Sequence, residues 1–294
     1  VMGRELTLLL LKKGANVAAL DINEITLKET AALAGDVQGR LSLDVLNIAD
    51  REAVAAFPEE FIQTYGAVDG IINNAGIIQR FVLVNDLEYK DIERVMKVNF
   101  WGVIYVTKTF LPYLLQRPEA YIVNTSSMGG YLPVPGQAVY GATKAAVKLF
   151  TEGLHSELKG TPVHVATVFP GAIATNISIS SGVNMAAQPP TEITRKIPTT
   201  YAVAAAAIII TGMEKNQYHV FVGKDAKLMD FLRRITPERA AAIFYDQMKH
   251  LLPKNNEWKS IPSMQLPRSQ IFEAVACRTY IAPQSDTSLR LKTG

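Results

Sequence analysis

Cysteine is almost missing: Cys277 is alone in 294 residues, so no disulfide can form within the chain. Histidine is scarce. His155, His164, His219 and His250 share no metal-ligand spacing, so no metal is expected. A dominant charge of either sign is also lacking. Thirty Lys and Arg stand against 27 Asp and Glu, and the net charge of +3 is spread along the chain. No basic stripe with interleaved aromatics accompanies it, which argues against a nucleic-acid partner. Long apolar runs are absent as well. The one in "ELTLLLLKKG" ends after about ten residues, too few to span a bilayer, and reads as an amphipathic helix closed by Gly14. No secretory leader is read ahead of it, so a cytoplasmic location and no membrane partner are expected.

What is present is 48% hydrophobic composition, enough for one substantial core. Its pattern alternates between two periods. Helical spacing over 4–13, 23–35, 48–66, 87–116, 140–158 and 200–215 alternates with short apolar runs over 16–22, 39–45, 68–76, 120–127, 162–171 and 218–223. The 48–66 helix is expected to be interrupted at Pro58, and the 87–116 helix to break near Asn99. Strands alternating with helices imply βαβ units: an α/β fold with a doubly wound, Rossmann-like parallel sheet. Residues 1–252 are expected to form that single domain, with a lid over about 176–200. Residues 253–294, with Pro253, Pro262, Pro267 and Pro283, form a C-terminal extension to which no role is assigned.

Ligands of such sheets sit beyond the carboxyl ends of the strands, and the unusual residues of this chain follow strands. Asp21 ends one about eighteen residues after Gly3, where an acid can accept hydrogen bonds from ribose hydroxyls and repel a 2′-phosphate. With no Lys or Arg beside it, NAD is favoured over NADP. In "NNAG", Ala75 and Gly76 allow close approach to a flat ligand, and Asn73 can tie strand ends together. Tyr140 and Lys144 are one helical turn apart in "YGATK". Alone that spacing is common on solvated surfaces. Here Ser127 precedes Tyr140 by thirteen positions, at the end of a strand in "NTSS", and Asn99 interrupts a helix upstream.

These motifs, in this order, resemble the short-chain dehydrogenase/reductase family over roughly residues 1–225. Asp21, "LDV" (43–45), "NNAG" (73–76), Asn99, "SS" (126–127), "YGATK" (140–144) and "PGAIAT" (170–175) carry the likeness. The resemblance implies Asn99, Ser127, Tyr140 and Lys144 as the catalytic group. It implies Met2, Gly3, Asp21, Ile22, Asp44, Val45, Asn73, Ala75, Gly76, Pro170, Gly171, Ile173 and Thr175, with Tyr140 and Lys144, as the nicotinamide-cofactor site. Asp44 and Val45 would lie beside the adenine, and Ile173 and Thr175 would hold the carboxamide. It also implies a homotetramer or dimer built on the 87–116 and 140–158 helices. The family opens with a strand and a Gly-rich phosphate loop, of which only Met2 and Gly3 have counterparts here; residues upstream of Val1 are expected to supply the rest.

Ser127, Met128, Gln137 and Tyr140 are expected at the substrate, with Tyr131, Val134, Ile177, Ile179, Val183 and Met185 around them and Arg195 and Lys196 as the lid's cations. This mostly apolar set suits a small hydrophobic secondary alcohol or ketone. The reaction expected is hydride transfer with a tyrosine as general acid and base. The alternative is a nucleotide sensor or scaffold with the same fold and no turnover. A serine hydrolase is disfavoured, because no Gly-x-Ser-x-Gly elbow is present.

Overall fold

A computed structural model describes residues 1–175, 177–183 and 199–252. Met185, Arg195 and Lys196, most of the expected lid, and the whole 253–294 extension with Cys277 lie outside the described residues. The alternation read from the sequence is realised. In order come α1 (Met2–Lys12), β1 (Val17–Asp21), α2 (Glu24–Ala34), β2 (Leu41–Val45), α3 (Arg51–Tyr65), β3 (Gly70–Asn73) and α4 (Tyr89–Met96). A π-helical turn, Lys97–Trp101, leads into α5 (Gly102–Leu114), β4 (Ala120–Thr125), α6 (Ala138–Glu157), β5 (Val163–Pro170) and the short α7 (Ile177–Ser180). Then follow α8 (Ala202–Glu214), β6 (His219–Val222), α9 (Lys224–Ile235) and α10 (Pro237–Met248).

Local chemistry sets the boundaries. Asn23 Oδ1 accepts the Thr26 N–H at 3.1 Å and starts α2; Asp50 Oδ1 accepts from Glu52 and Ala53, both at 3.1 Å, and starts α3. Each such cap stabilises its helix by about 1 kcal/mol. Pro58 does not interrupt α3, contrary to expectation. It is buried beside Phe57 in the core, and packing of that face outweighs one missing backbone donor. The break at Asn99 is real, and takes the form of the π turn.

All strand pairs are parallel. β1 pairs with β2, and β3–β4–β5–β6 form a second sheet in that order. One apolar cluster (Val54, Phe57, Phe110, Leu114, Ile122, Leu154) joins α3, α5 and α6 to one face of the larger sheet, and Ala18 and Leu20 of β1 pack against it. The opposite face carries Val123, Val168, Ile209 and Ile210 under α8, with Leu6 of α1. Each large aliphatic fully buried here contributes about 2 kcal/mol. With helices on both faces, the loops at the carboxyl ends of the strands form one edge.

Candidate active site

The first part of that edge is built by β1, β2 and α1. Asp21 Oδ1 accepts the Asn23 N–H at 3.0 Å, which fixes the turn and leaves its second oxygen outward on an exposed side chain. Asp44 Oδ2 accepts the Ser42 hydroxyl at 3.0 Å. Between them, Ile22 and Val45 stand 69% and 59% exposed, bare apolar surfaces next to acidic groups. Gly3 opens α1 against Asn74, whose Nδ2 would lie 3.0 Å from any Cβ placed there.

The centre of the edge is held by amides. Asn73 Nδ2 donates to Asn124 Oδ1 at 2.8 Å and to Thr107 Oγ1 at 3.2 Å, and Asn124 Nδ2 donates to Thr151 Oγ1 at 3.0 Å. This buried chain ties β3, β4, α5 and α6 together, as the sequence suggested for Asn73. Asn99, fully buried, copies a strand partner for Ile77. Its Oδ1 accepts the Ile77 N–H at 2.8 Å and its Nδ2 donates to the Ile77 carbonyl at 2.9 Å. The π turn aims it, and π turns recur where a side chain must leave the α-helical register. Nδ2 also reaches Thr143 Oγ1 at 3.1 Å, so Asn99 links the loop after β3 to the helix that carries Tyr140 and Lys144.

The two adjacent serines have separate tasks. Ser126 is buried and donates its hydroxyl to the main-chain carbonyl of Lys144 at 2.7 Å. Ser127 accepts the Gly129 N–H at 3.0 Å, and its hydroxyl lies beside the Tyr140 phenol. Gly129 permits this approach: a Cβ there would meet Tyr140 Cε1 at 3.3 Å and Ser127 Oγ at 3.5 Å. Burial pushes the Tyr140 phenol above its ordinary value, while the Ser127 hydrogen bond pulls it down. Lys144 is 3% exposed and donates from Nζ to the Thr125 carbonyl at 2.9 Å. Burial lowers its ammonium from 10.5 to about 8. The same ammonium would lie 3.1 Å from a Cβ at Gly76, so glycine lets the "NNAG" turn pass close over it.

At the end of β5, Pro170 and then Gly171 lead into a short bridge in which Ile173 lies beside Thr200. Thr200 uses the Ala172 carbonyl and the Ala174 N–H, at 2.9 and 3.0 Å. The N–H and C=O of Ile173 therefore face the opposite side, because these groups alternate along extended chain.

With this geometry in place, comparison with known proteins decides the family. The sequence profile of the short chain dehydrogenases matches residues 2–185. The chain belongs to the short-chain dehydrogenase family. It is 39% identical over 241 residues to the oxidoreductase SadH of Mycobacterium tuberculosis, covering 80% of this chain and 86% of that protein. It is 37% identical over 174 residues to the 3-oxoacyl-[acyl-carrier-protein] reductase FabG of Thermotoga maritima, covering 59% of this chain and 70% of that one. Among solved structures it resembles a short-chain dehydrogenase/reductase of Burkholderia phymatum in complex with NAD. The TM-score is 0.72, at 22% identity over 81% of this chain and 90% of the other, a likeness of fold. A short chain dehydrogenase of Burkholderia cenocepacia in complex with NADP matches at TM-score 0.67 and 25% identity, over 83% and 92% of the two chains.

Within this short-chain dehydrogenase some expected substrate residues serve the scaffold. Gln137 is 2% exposed and donates from Nε2 to the Gln79 carbonyl at 2.7 Å. Tyr131 and Val134 pack with Met128 against Leu132, Ala240 and Phe244, and the Tyr131 hydroxyl donates to the Ala226 carbonyl at 2.6 Å. Val183 is buried, and Ile179 is exposed. Sequence reasoning missed Gln79. Its fully buried side chain accepts the Tyr140 N–H at 3.0 Å and donates to the Gly136 carbonyl at 3.2 Å, fixing where α6 begins. Only its position three residues after Gly76 hinted at it. Sequence reasoning also missed Ser181, whose Oγ accepts the Ile78 N–H at 2.9 Å, and Arg94, which donates to the Ser181 carbonyl at 3.1 Å.

Proposed function

We propose that this oxidoreductase interconverts a small hydrophobic secondary alcohol and its ketone, using NAD in preference to NADP. The observation that supports it most is the half-buried Tyr140 phenol beside the Ser127 hydroxyl, one helical turn from the buried Lys144 ammonium. The residues present fit a dinucleotide. Ile22 and Val45 offer apolar walls, Asp21 a second carboxylate oxygen on an exposed side chain, Gly76 a close approach, and Ile173 a backbone donor and acceptor turned away from Thr200. Solved relatives of the same fold were crystallised with NAD or NADP.

When bound, the nicotinamide accepts or supplies the hydride. The chain handles the proton and the oxygen. Ser127 donates a hydrogen bond to the substrate oxygen, on which negative charge builds during reduction. Tyr140 gives its phenolic proton to that oxygen in reduction and takes one back in oxidation. Lys144, where protonated, makes the phenolate easier to form. Asn99 holds the Ile77 loop and the Thr143 turn so that these groups keep their spacing. The chain is further expected to self-associate through the helices of 87–116 and 140–158, and to act on small molecules rather than nucleic acid. Among the described residues no helix is long and apolar enough to cross a membrane, and no cluster could hold a metal ion.

The test is NADH formation with a panel of secondary alcohols, run with NAD and with NADP. Turnover is expected, faster with NAD. Tyr140→Phe should lower kcat by at least about a thousandfold, the scale of general-acid catalysis, with the Kd for NADH nearly unchanged. Tight NADH binding without turnover on any alcohol or ketone would favour the sensor reading instead. Strong residual activity in Tyr140→Phe would remove the role given to the phenol.

A further inference from the structure

Asp225 lies in the first turn of α9, far along the chain from every motif of the site. Its Oδ2 accepts the Ala172 N–H at 2.8 Å, in the loop that follows β5. The contact is close enough to dictate sequence on both sides. A Cβ at Gly171 would overlap the Asp225 carboxylate, and so would one at Gly223, where φ is +106°. Glycine at Gly171 is thus explained by the acid that sits on it. The Oδ1 of Asp225 is buried with no hydrogen-bond partner among the described residues. The start of a helix carries partial positive charge, which suits an acidic side chain, and a bond from N–H to a charged acceptor is stronger than a neutral one.

The other bonds of the loop show what Asp225 completes. Gly171 N–H donates to the Val222 carbonyl at 2.9 Å, Thr200 N–H to the Ala172 carbonyl at 2.9 Å, and Ala174 N–H to the Thr200 carbonyl at 3.0 Å. Asp225 takes the Ala172 N–H. The backbone groups on either side of Ile173 are thereby fixed, while those of Ile173 itself face away from Thr200. A donor and an acceptor are presented side by side from a loop clamped at each flank. That is the complement of a primary carboxamide, which carries one acceptor oxygen and an NH₂ donor.

We propose that Asp225 is a positioning residue for the nicotinamide end of the cofactor, acting through the Gly171–Ala174 loop. The proposal rests on the cofactor reading above. Asp225 touches only the loop, and its effect is confined to the ring the loop would hold.

ADP-ribose separates the two halves of the ligand, because it shares the adenosine, pyrophosphate and ribose of NADH and lacks the nicotinamide. Calorimetry on the whole chain measures Kd for both. In Asp225→Ala the Kd for NADH should rise by about tenfold, the scale of one lost charge-assisted hydrogen bond, with the Kd for ADP-ribose unchanged. Asp225→Asn keeps an acceptor for the Ala172 N–H and should recover most of the loss. Asp225→Glu, which keeps the charge but moves the oxygen, should show the same split as alanine and serves if the alanine variant does not fold. An equal loss for both ligands marks a purely structural role and overturns the proposal, as does an unchanged NADH affinity in Asp225→Ala. Wild-type protein that holds NADH no more tightly than ADP-ribose would remove the nicotinamide site itself, and the cofactor reading falls with the proposal.

Discussion

Lys144 keeps an ammonium where the fold would be better served by a neutral side chain. Its folded value of about 8 lies below the ordinary 10.5, so between those limits the unfolded chain binds more protons than the folded one. Stability must then rise with pH across that window. Below it, the full cost of burying the charge applies, on the order of 3 kcal/mol, offset in part by the bond to the Thr125 carbonyl. Lys144→Met removes the charge and keeps the volume. It should melt several degrees higher than wild type at pH 7, and the gap should narrow between pH 8 and pH 10 as Lys144 loses its proton. Turnover should be lost. Calorimetric melts of both proteins across that range check it; a gap independent of pH would mean the ammonium is not buried at a cost.

Helix α6 serves two surfaces. Lys144, Val147, Thr151 and Leu154 point inward, whereas Leu149 is 70% exposed. At the start of α5, Trp101 is also exposed, at 44%. Those faces are where self-association is expected. Leu149→Glu should leave the melting temperature nearly unchanged and halve the sedimenting mass or more; an unchanged mass would place any interface elsewhere. The sequence made this helix legible through its period, and its chemistry through the family resemblance that Tyr140, Lys144 and Ser127 help to carry. It also exposed the break at Asn99, since a polar residue interrupts an apolar stripe. It could not expose Gln79 or Asp225. Both act on backbone groups 57 or more, and 53, residues away. Nothing in their neighbourhoods changes period or composition. Pro58 was misjudged because local propensity was weighed without the packing that overrides it.

Across the molecule, the alternation of strand and helix was readable from hydrophobic period alone, and so was the gathering of unusual turns on one edge. Helices α9 and α10 carried no motif and were left unassigned within the domain, yet they bring Asp225 to the site and cover Tyr131. Among the described residues no backbone bond joins β1 to β3; they meet through Ala18 and Leu20 packed on the cluster that contains Ile71.

The amide chain across β3 and β4 has a kinetic consequence. Its buried groups are partnered only while both strands and helices α5 and α6 stay docked. Parting any one of them strands the others, so this region should open only with the whole fold. Amides of 120–125 should be among the last to exchange with deuterium, by mass spectrometry of the native protein, and Asn124→Leu should speed them by more than about tenfold. Exchange there as fast as at 41–45 would mean the chain holds nothing shut.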